Sequence, residues 1–294
     1  MPTDDPVRTE RMKIGIIGLG LIGGCLCIDF KALGHEVYGI ARRQQTCEDA
    51  LTRGMVDVAS TDTASLRPCD VVFICTPIAT ILPVVSTLTQ QLDRRTILTD
   101  VGSVKSAIVT SATELWPMFV GGHPMSGKSE AGLSAASAGL FKGNAYVITP
   151  VEIASAKTDS GAIATIDHLA QQLGSQTYQC SPAVHDRAVA WISHLPVMVS
   201  SNLIHVALNE PDEAVRQMAQ QLASSGFRDT SRVGGGNPEL GLMMAQYNRA
   251  EVLRSLKQYQ RAIAATIDTL ETENWENLTD RLTATQKGRH KFLK

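Results

Sequence analysis

Short unbroken apolar runs recur along the first 180 residues, separated by stretches with helical spacing. Runs of this kind predict strands covered on both faces, as in a parallel sheet. Such runs fall at residues 13–17 and 70–75, and further strands are predicted at 36–40, 96–100, 119–122, 145–149 and 176–180. Between the strands at 13–17 and 36–40, Ile22, Leu26, Phe30 and Leu33 repeat at helical spacing, and Gly34 supplies a stop. Further helices are predicted over 46–53, capped by Thr46 and ended by Gly54; from about residue 77, with Pro83 in the early turns; and over 160–173. After Ser181-Pro182, a cap followed by proline, the pattern becomes helical. The predicted architecture is α/β, with a doubly wound parallel sheet over 12–179, a helical domain over 180–294 and a disordered tail over 1–11.

The junction of the first strand and helix reads Gly18-Leu19-Gly20-Leu21-Ile22-Gly23. In a Gly-x-Gly-x-x-Gly turn the first glycine permits the tight turn, the second lets backbone approach a pyrophosphate, and the third lets helix and strand pack closely. The opening helix, at Leu21 and Ile22, then aims its amides and its positive dipole end at the phosphates. The motif predicts a dinucleotide site. At the end of the second strand, an enzyme using NAD places a carboxylate for the ribose hydroxyl. This chain has Ala41-Arg42-Arg43-Gln44 instead. Guanidinium groups match phosphate oxygens, so NADP is the expected cofactor, with Arg42 leading and Arg43 beside it.

Further candidates sit where other strands end. Thr76 and Pro77 follow the strand at 70–75, Ser103 follows the strand at 96–100, and His123 follows the strand at 119–122. Ligands bind at this carboxyl edge of open α/β sheets, which makes the convergence informative. His123 lies between two glycines and a proline, and a serine hydroxyl from the neighbouring strand end is expected to orient its ring. In the helical half, the stretch 182–208 is mostly apolar, predicting a helix buried by its own domain or by a second subunit. Pro196 should kink it beside His194. An amphipathic helix to about residue 224 leads into a polar, glycine-rich loop over 225–238, whose Arg228 and Arg232 suit a carboxylate-bearing substrate. Residues from 239 onward read as helical, with Trp275 in the last helix.

Composition narrows the partners. The chain has 294 residues and a net charge of -2, so nothing points to nucleic acid or an anionic membrane. No apolar run is expected to span a bilayer, and the first ten residues lack the apolar centre of a signal peptide. The six cysteines show no metal-site spacing; they fit packing residues in a reducing, cytoplasmic compartment, and no metal is expected.

Five segments in order resemble the prephenate and arogenate dehydrogenases of tyrosine biosynthesis. They are the glycine turn, Asp100-Val101-Gly102-Ser103-Val104-Lys105, Gly121-Gly122-His123-Pro124-Met125, Ser193-His194-Leu195-Pro196, and Gly226-Phe227-Arg228-Asp229-Thr230-Ser231-Arg232. The resemblance implies a Rossmann-type domain followed by an all-α dimerisation domain, and so a homodimer. It also implies oxidative decarboxylation of a cyclohexadienol. By that likeness His123 is the catalytic histidine acting on the ring hydroxyl. Ser103 orients it and contacts the hydroxyl, Arg232 holds a substrate carboxylate, and His194 lines the pocket. Prephenate-preferring members often carry a further histidine where this chain has Val197. Together with the two arginines, this resembles the NADP-dependent arogenate branch; the alternative is the same chemistry on prephenate. Some members carry glutamate at the position of Ser129, and this chain lacks that gating carboxylate. Within this length no chorismate mutase segment or regulatory extension is expected. A β-hydroxyacid dehydrogenase would need a lysine in the first long helix after the sheet, and none occurs over 182–208. A cofactor-sensing protein would not need Ser103, His123 and Arg232 together.

Overall fold

The structure is a computed structural model that describes residues 11–128 and 130–292. Ser129 and residues 1–10 of the tail expected over 1–11 lie outside the described residues. The chain divides into two compact units. The first comprises residues up to Val189 together with Gly235–Asn248; the second comprises Ala190–Gly234 and the chain from Arg249 on. The boundary expected after residue 179 thus stands ten residues before the division at Val189, and a downstream segment returns to the first unit.

In chain order the first unit contains β1 (Lys13–Ile17), α1 (Leu21–Ala32), β2 (Glu36–Ile40), α2 (Gln44–Thr52), β3 (Val58–Ser60), β4 (Val71–Ile74), α3 (Ile78–Leu88), β5 (Ile97–Asp100), α4 (Val109–Leu115), β6 (Phe119–Pro124), β7 (Ala145–Thr149), a small hairpin of β8 (Glu152–Ile153) and β9 (Ala156–Lys157), α5 (Ser160–Gln172), β10 (Gln176–Gln179) and α6 (Pro182–Val189). Eight strands form one sheet in the order β10-β7-β6-β5-β4-β1-β2-β3. Apolar side chains fill both faces. Ile14 and Ile16 of β1 join Phe30 and Phe73 in one cluster, while Ile17 joins Val72, Ile74 and Trp116 in the other. This double covering is why β1 and β4 read as apolar runs.

Three local expectations need correction. α2 opens at Gln44 with Arg43 as its cap residue, so Thr46 lies inside the helix and does not cap it. The sheet is mostly parallel, but β6 and β7 are antiparallel. β6 also runs past its predicted end through His123 to Pro124. It pairs with β5 only at Phe119 and Val120; from Gly121 onward its partner is β7, with His123 opposite Val147. His123 is therefore a strand residue projecting beyond the parallel part of the sheet.

The second unit contains α7 (Leu195–Leu208), α8 (Glu213–Leu222) and α9 (Ser225–Ser231); α10 (Pro238–Tyr247) belongs to the first unit, and α11 (Arg249–Glu271) and α12 (Trp275–Gly288) complete the second. α9 occupies half of the segment expected to be a loop. The stretch Pro182–Leu208 is continuously helical, with a π turn at Ala190–His194. Pro196 supplies no amide to the carbonyl four residues back, and the π turn accommodates the break. With a mean hydropathy of 1.2 over 18 residues, this stretch meets the length and composition of a membrane-spanning helix, which corrects the expectation that no run reaches that length. Its first turns carry His185, Asp186 and Arg187, and the Asp186 carboxylate is tied to the backbone amides of Lys105 and Ser106 in the first unit. Burial along α7 is confined to Leu195 and Ser200.

Candidate active site

The strand order reverses between β4 and β1, which leaves a crevice at their carboxyl ends. A cleft of about 1100 Å³ opens there, lined by Gly18, Gly20, Arg42, Arg43, Thr76 and Pro77, with Gly132 and Leu133 on another wall. Gly18 has φ +99°, and a Cβ on it would lie 2.5 Å from Cys75 O, so only glycine lets these two strand ends meet. A Cβ on Gly23 would lie 2.1 Å from Gly18 O, so that glycine serves packing beneath the turn; Gly20 faces open space. Helix α1 begins after Gly20 with no side-chain cap, and its Gly24 amide bonds to Gly20 O at 2.9 Å. The amides of Leu21, Ile22 and Gly23 therefore have no helical acceptor and are available to an anion. Leu21 and Ile22 do not line the cleft with their side chains.

These features fit a dinucleotide. The glycine turn leaves room for a pyrophosphate beside uncapped amides. Thr76 lines the cleft, and its Oγ1 has no hydrogen-bond partner among the described residues. Arg42 and Arg43 are exposed and pair with no carboxylate among the described residues.

Beyond β5 a buried polar network holds the next candidates. Asp100 and Lys105 form an ion pair with both side chains fully buried. Lys105 Nζ also donates to Gly122 O at 2.6 Å, and the Gly102 and Gly122 amides donate to the Asp100 carboxylate at 2.9 and 3.2 Å. Burial pulls the Lys105 ammonium below its ordinary value even with Asp100 alongside. This network fixes the turn carrying Ser103 and the strand residue just before His123. Ser103 Oγ is buried and makes no hydrogen bond among the described residues.

The His123 ring is turned by a residue that the sequence reading missed. Its Nδ1 lies 2.8 Å from Nε2 of His185, and His185 Nδ1 lies 2.8 Å from Asp186 Oδ1. This corrects the expectation that Ser103 orients the ring. Asp186 also accepts the backbone amides of Lys105 and Ser106, each at 2.8 Å. Asn248, just after α10, donates to the Asp186 carbonyl at 2.8 Å. Burial pushes the Asp186 carboxyl up, but His185 and these amides outweigh it and hold the group below its ordinary value. A sequence signal existed: His185-Asp186 sits one turn into a helix opened by Ser181-Pro182.

The other candidates lie in the second unit. His194 ends the π turn and is fully buried. Ser200 of α7 donates to Thr230 O at 2.8 Å and accepts the Gly234 amide at 2.9 Å, so α7 clamps the chain on both sides of Arg232. Arg232 is exposed and forms no ion pair among the described residues, whereas Arg228 pairs with Asp229 at 3.0 Å.

Comparison with known proteins identifies the family. The family model described as "Prephenate dehydrogenase, nucleotide-binding domain" matches residues 27–179, and "Prephenate dehydrogenase, dimerization domain" matches 181–284. Prephenate dehydrogenase of Bacillus subtilis is 30% identical over 278 residues, covering 92% of this chain and 73% of that one. Cyclohexadienyl dehydrogenase of Zymomonas mobilis is 26% identical, covering 96% of each chain. The crystal structure of Synechocystis arogenate dehydrogenase superposes with a TM-score of 0.86 at 46% identity, covering 96% of this chain and all of that one. Prephenate dehydrogenase from A. aeolicus, solved with hydroxyphenyl propionate and NAD+, shares the fold with a TM-score of 0.89 at 22% identity, covering 96% and 98%. With a nucleotide crevice, a held histidine and both family domains matched in order, the chain belongs to the prephenate dehydrogenase family, oxidoreductases that use a nicotinamide cofactor for oxidative decarboxylation.

Proposed function

We propose that this chain is an NADP-dependent arogenate dehydrogenase. The observation that carries the reading is the cleft wall after β2, where Arg42 and Arg43 stand and no carboxylate is available for a ribose hydroxyl. Val197 in place of a second pocket histidine, and 46% identity to Synechocystis arogenate dehydrogenase, support the substrate. When bound, the cofactor supplies a hydride acceptor. His123 takes the proton from the ring hydroxyl as the carbon bearing it is oxidised. The bond to the ring carboxylate then breaks, carbon dioxide leaves, and the ring becomes aromatic. Ser103 contacts the same hydroxyl, Arg232 holds a substrate carboxylate, and His194 lines the pocket. Thr76 and Pro77 border the cofactor. The helical domain pairs two copies, which would cover the apolar side chains that α8 and α12 expose, Leu222 and Leu282 among them. Free thiols throughout suit a cytoplasmic enzyme.

A second reading, the same chemistry on prephenate, is favoured by the Bacillus relative at 30% identity. Turnover of both substrates with NADP and with NAD separates the two. The expected result is a kcat/KM about tenfold or more higher with arogenate and NADP, a difference of about 1.4 kcal/mol. A preference for prephenate with NAD overturns both specificity claims. His123→Asn should lower kcat about a hundredfold or more with NADP affinity unchanged. Unaltered turnover would remove His123 from the mechanism.

A further inference from the structure

We propose that His185 and Asp186 are positioning residues that fix the tautomer of His123, leaving its Nε2 as the proton acceptor. The inference rests on the reading of His123 as the base. It follows from counting donors and acceptors. The Asp186 carboxylate receives two backbone amides, which can only donate, so its oxygens are acceptors. Its contact with His185 Nδ1 must then be an N–H donated by the ring. A neutral His185 so arranged has only a lone pair on Nε2. The 2.8 Å contact to His123 therefore takes its proton from His123 Nδ1. One proton direction runs from β6 to α6, and the lone pair of His123 is on Nε2.

The same carboxylate holds the amides of Lys105 and Ser106, at the end of the turn carrying Ser103. Asp186 thus places the serine turn and the imidazole together. Neither member of the relay is exposed: His185 is 2% and Asp186 3% accessible. A carboxylate behind two imidazoles also faces the charge that His123 gains when it accepts a proton. Other titratable groups near the pair among the described residues are Asp100, Lys105, Tyr146 and Cys180. Asp100 and Lys105, both bonded to Gly122, offset one another. Tyr146 on β7 and Cys180 before α6 are pushed up by burial and stay neutral.

The test uses the full chain and steady-state kinetics across pH. His185→Leu removes the acceptor while filling the space; His185→Gln returns an amide oxygen to the place of Nε2. In the leucine variant kcat should fall about tenfold to a hundredfold, with KM for the cofactor within about twofold. The acid limb of kcat/KM should move to lower pH, because His123 loses the hydrogen-bonded partner that accepts from its Nδ1. The glutamine variant should recover most of the lost rate. A leucine variant with unchanged kcat and an unmoved acid limb overturns the relay, as does a rate loss that glutamine does not rescue. If His185→Leu fails to fold, nitrogen NMR of the wild-type chain labelled at histidine decides, with the His123 signals assigned by His123→Asn. A proton on Nδ1 supports the proposal, and a proton on Nε2 ends it. Should His123→Asn itself retain activity, the base reading has failed. Should only the His185 variants prove silent, the relay alone has failed.

Discussion

The two units manage polar and apolar groups in opposite ways. The sheet unit encloses most of both, with Ile153, Val184 and Leu242 its more than half exposed apolar side chains among the described residues. Its apolar faces are covered, and it buries an ion pair, an aspartate and two histidines in one connected network. The helical unit leaves apolar side chains outside: Val206, Leu208, Val215, Met218, Leu222 and Leu282 are each more than half exposed. No residue of α8 or α12 is buried. The difference teaches where each unit finds its partners. The first completes its interior from its own chain and presents a built cleft. The second has amphipathic helices whose apolar stripes lack cover within one chain, the condition that drives association.

The contrast can be broken from the inside first. Asp100→Asn strands the buried Lys105 ammonium. Urea unfolding of the sheet unit should show a loss of about 3–5 kcal/mol, the usual consequence of removing one partner from a buried pair. A loss under 1 kcal/mol would mean that the interior tolerates the unpaired charge. Arg42→Gln tests the charge that this unit keeps outside. It should weaken NADP binding by roughly tenfold to a hundredfold, the worth of a charge-assisted hydrogen bond, and leave unfolding stability nearly unchanged. Equal effects on NADP and NAD, read by fluorescence titration, would show that Arg42 does not meet the 2′-phosphate. Leu222→Asp addresses the helical unit. Leu222 is 71% exposed, so the substitution costs the single chain little. Sedimentation should nonetheless show association weakened roughly tenfold, as when one large apolar side chain loses its burial. A chain that sediments as a monomer without any substitution contradicts the pairing of the helical domain.

Legibility in the sequence followed range of interaction. The segment from β1 through β2 was readable because strand, glycine turn and helix lie within 28 residues and each leaves a local pattern. β3 has only three residues and pairs with β2 at the sheet edge, too short for any period to show. The true length of β6 was hidden because its last residues are ordered by β7, more than twenty positions downstream. α9 escaped because it has seven residues, a glycine in its first turn and no buried face. The site divided in the same way. Gly18, Arg42 and Thr76 were singled out from motif position, and all three line one cleft. His185 and Asp186 were missed because adjacent polar residues on a helix read as a solvated face, while their partners lie 62 to 81 positions away.

The return of Gly235–Asn248 to the sheet unit has a practical consequence for anyone wishing to transplant this module. The unit is assembled from two separate lengths of chain, so no single cut releases it whole. A chimaera joined after Val189 would take the residue that grips the Asp186 carbonyl from its other parent. Exchange of cofactor preference between relatives therefore requires grafting both lengths, or altering individual side chains along the β2 edge while the backbone stays as it is.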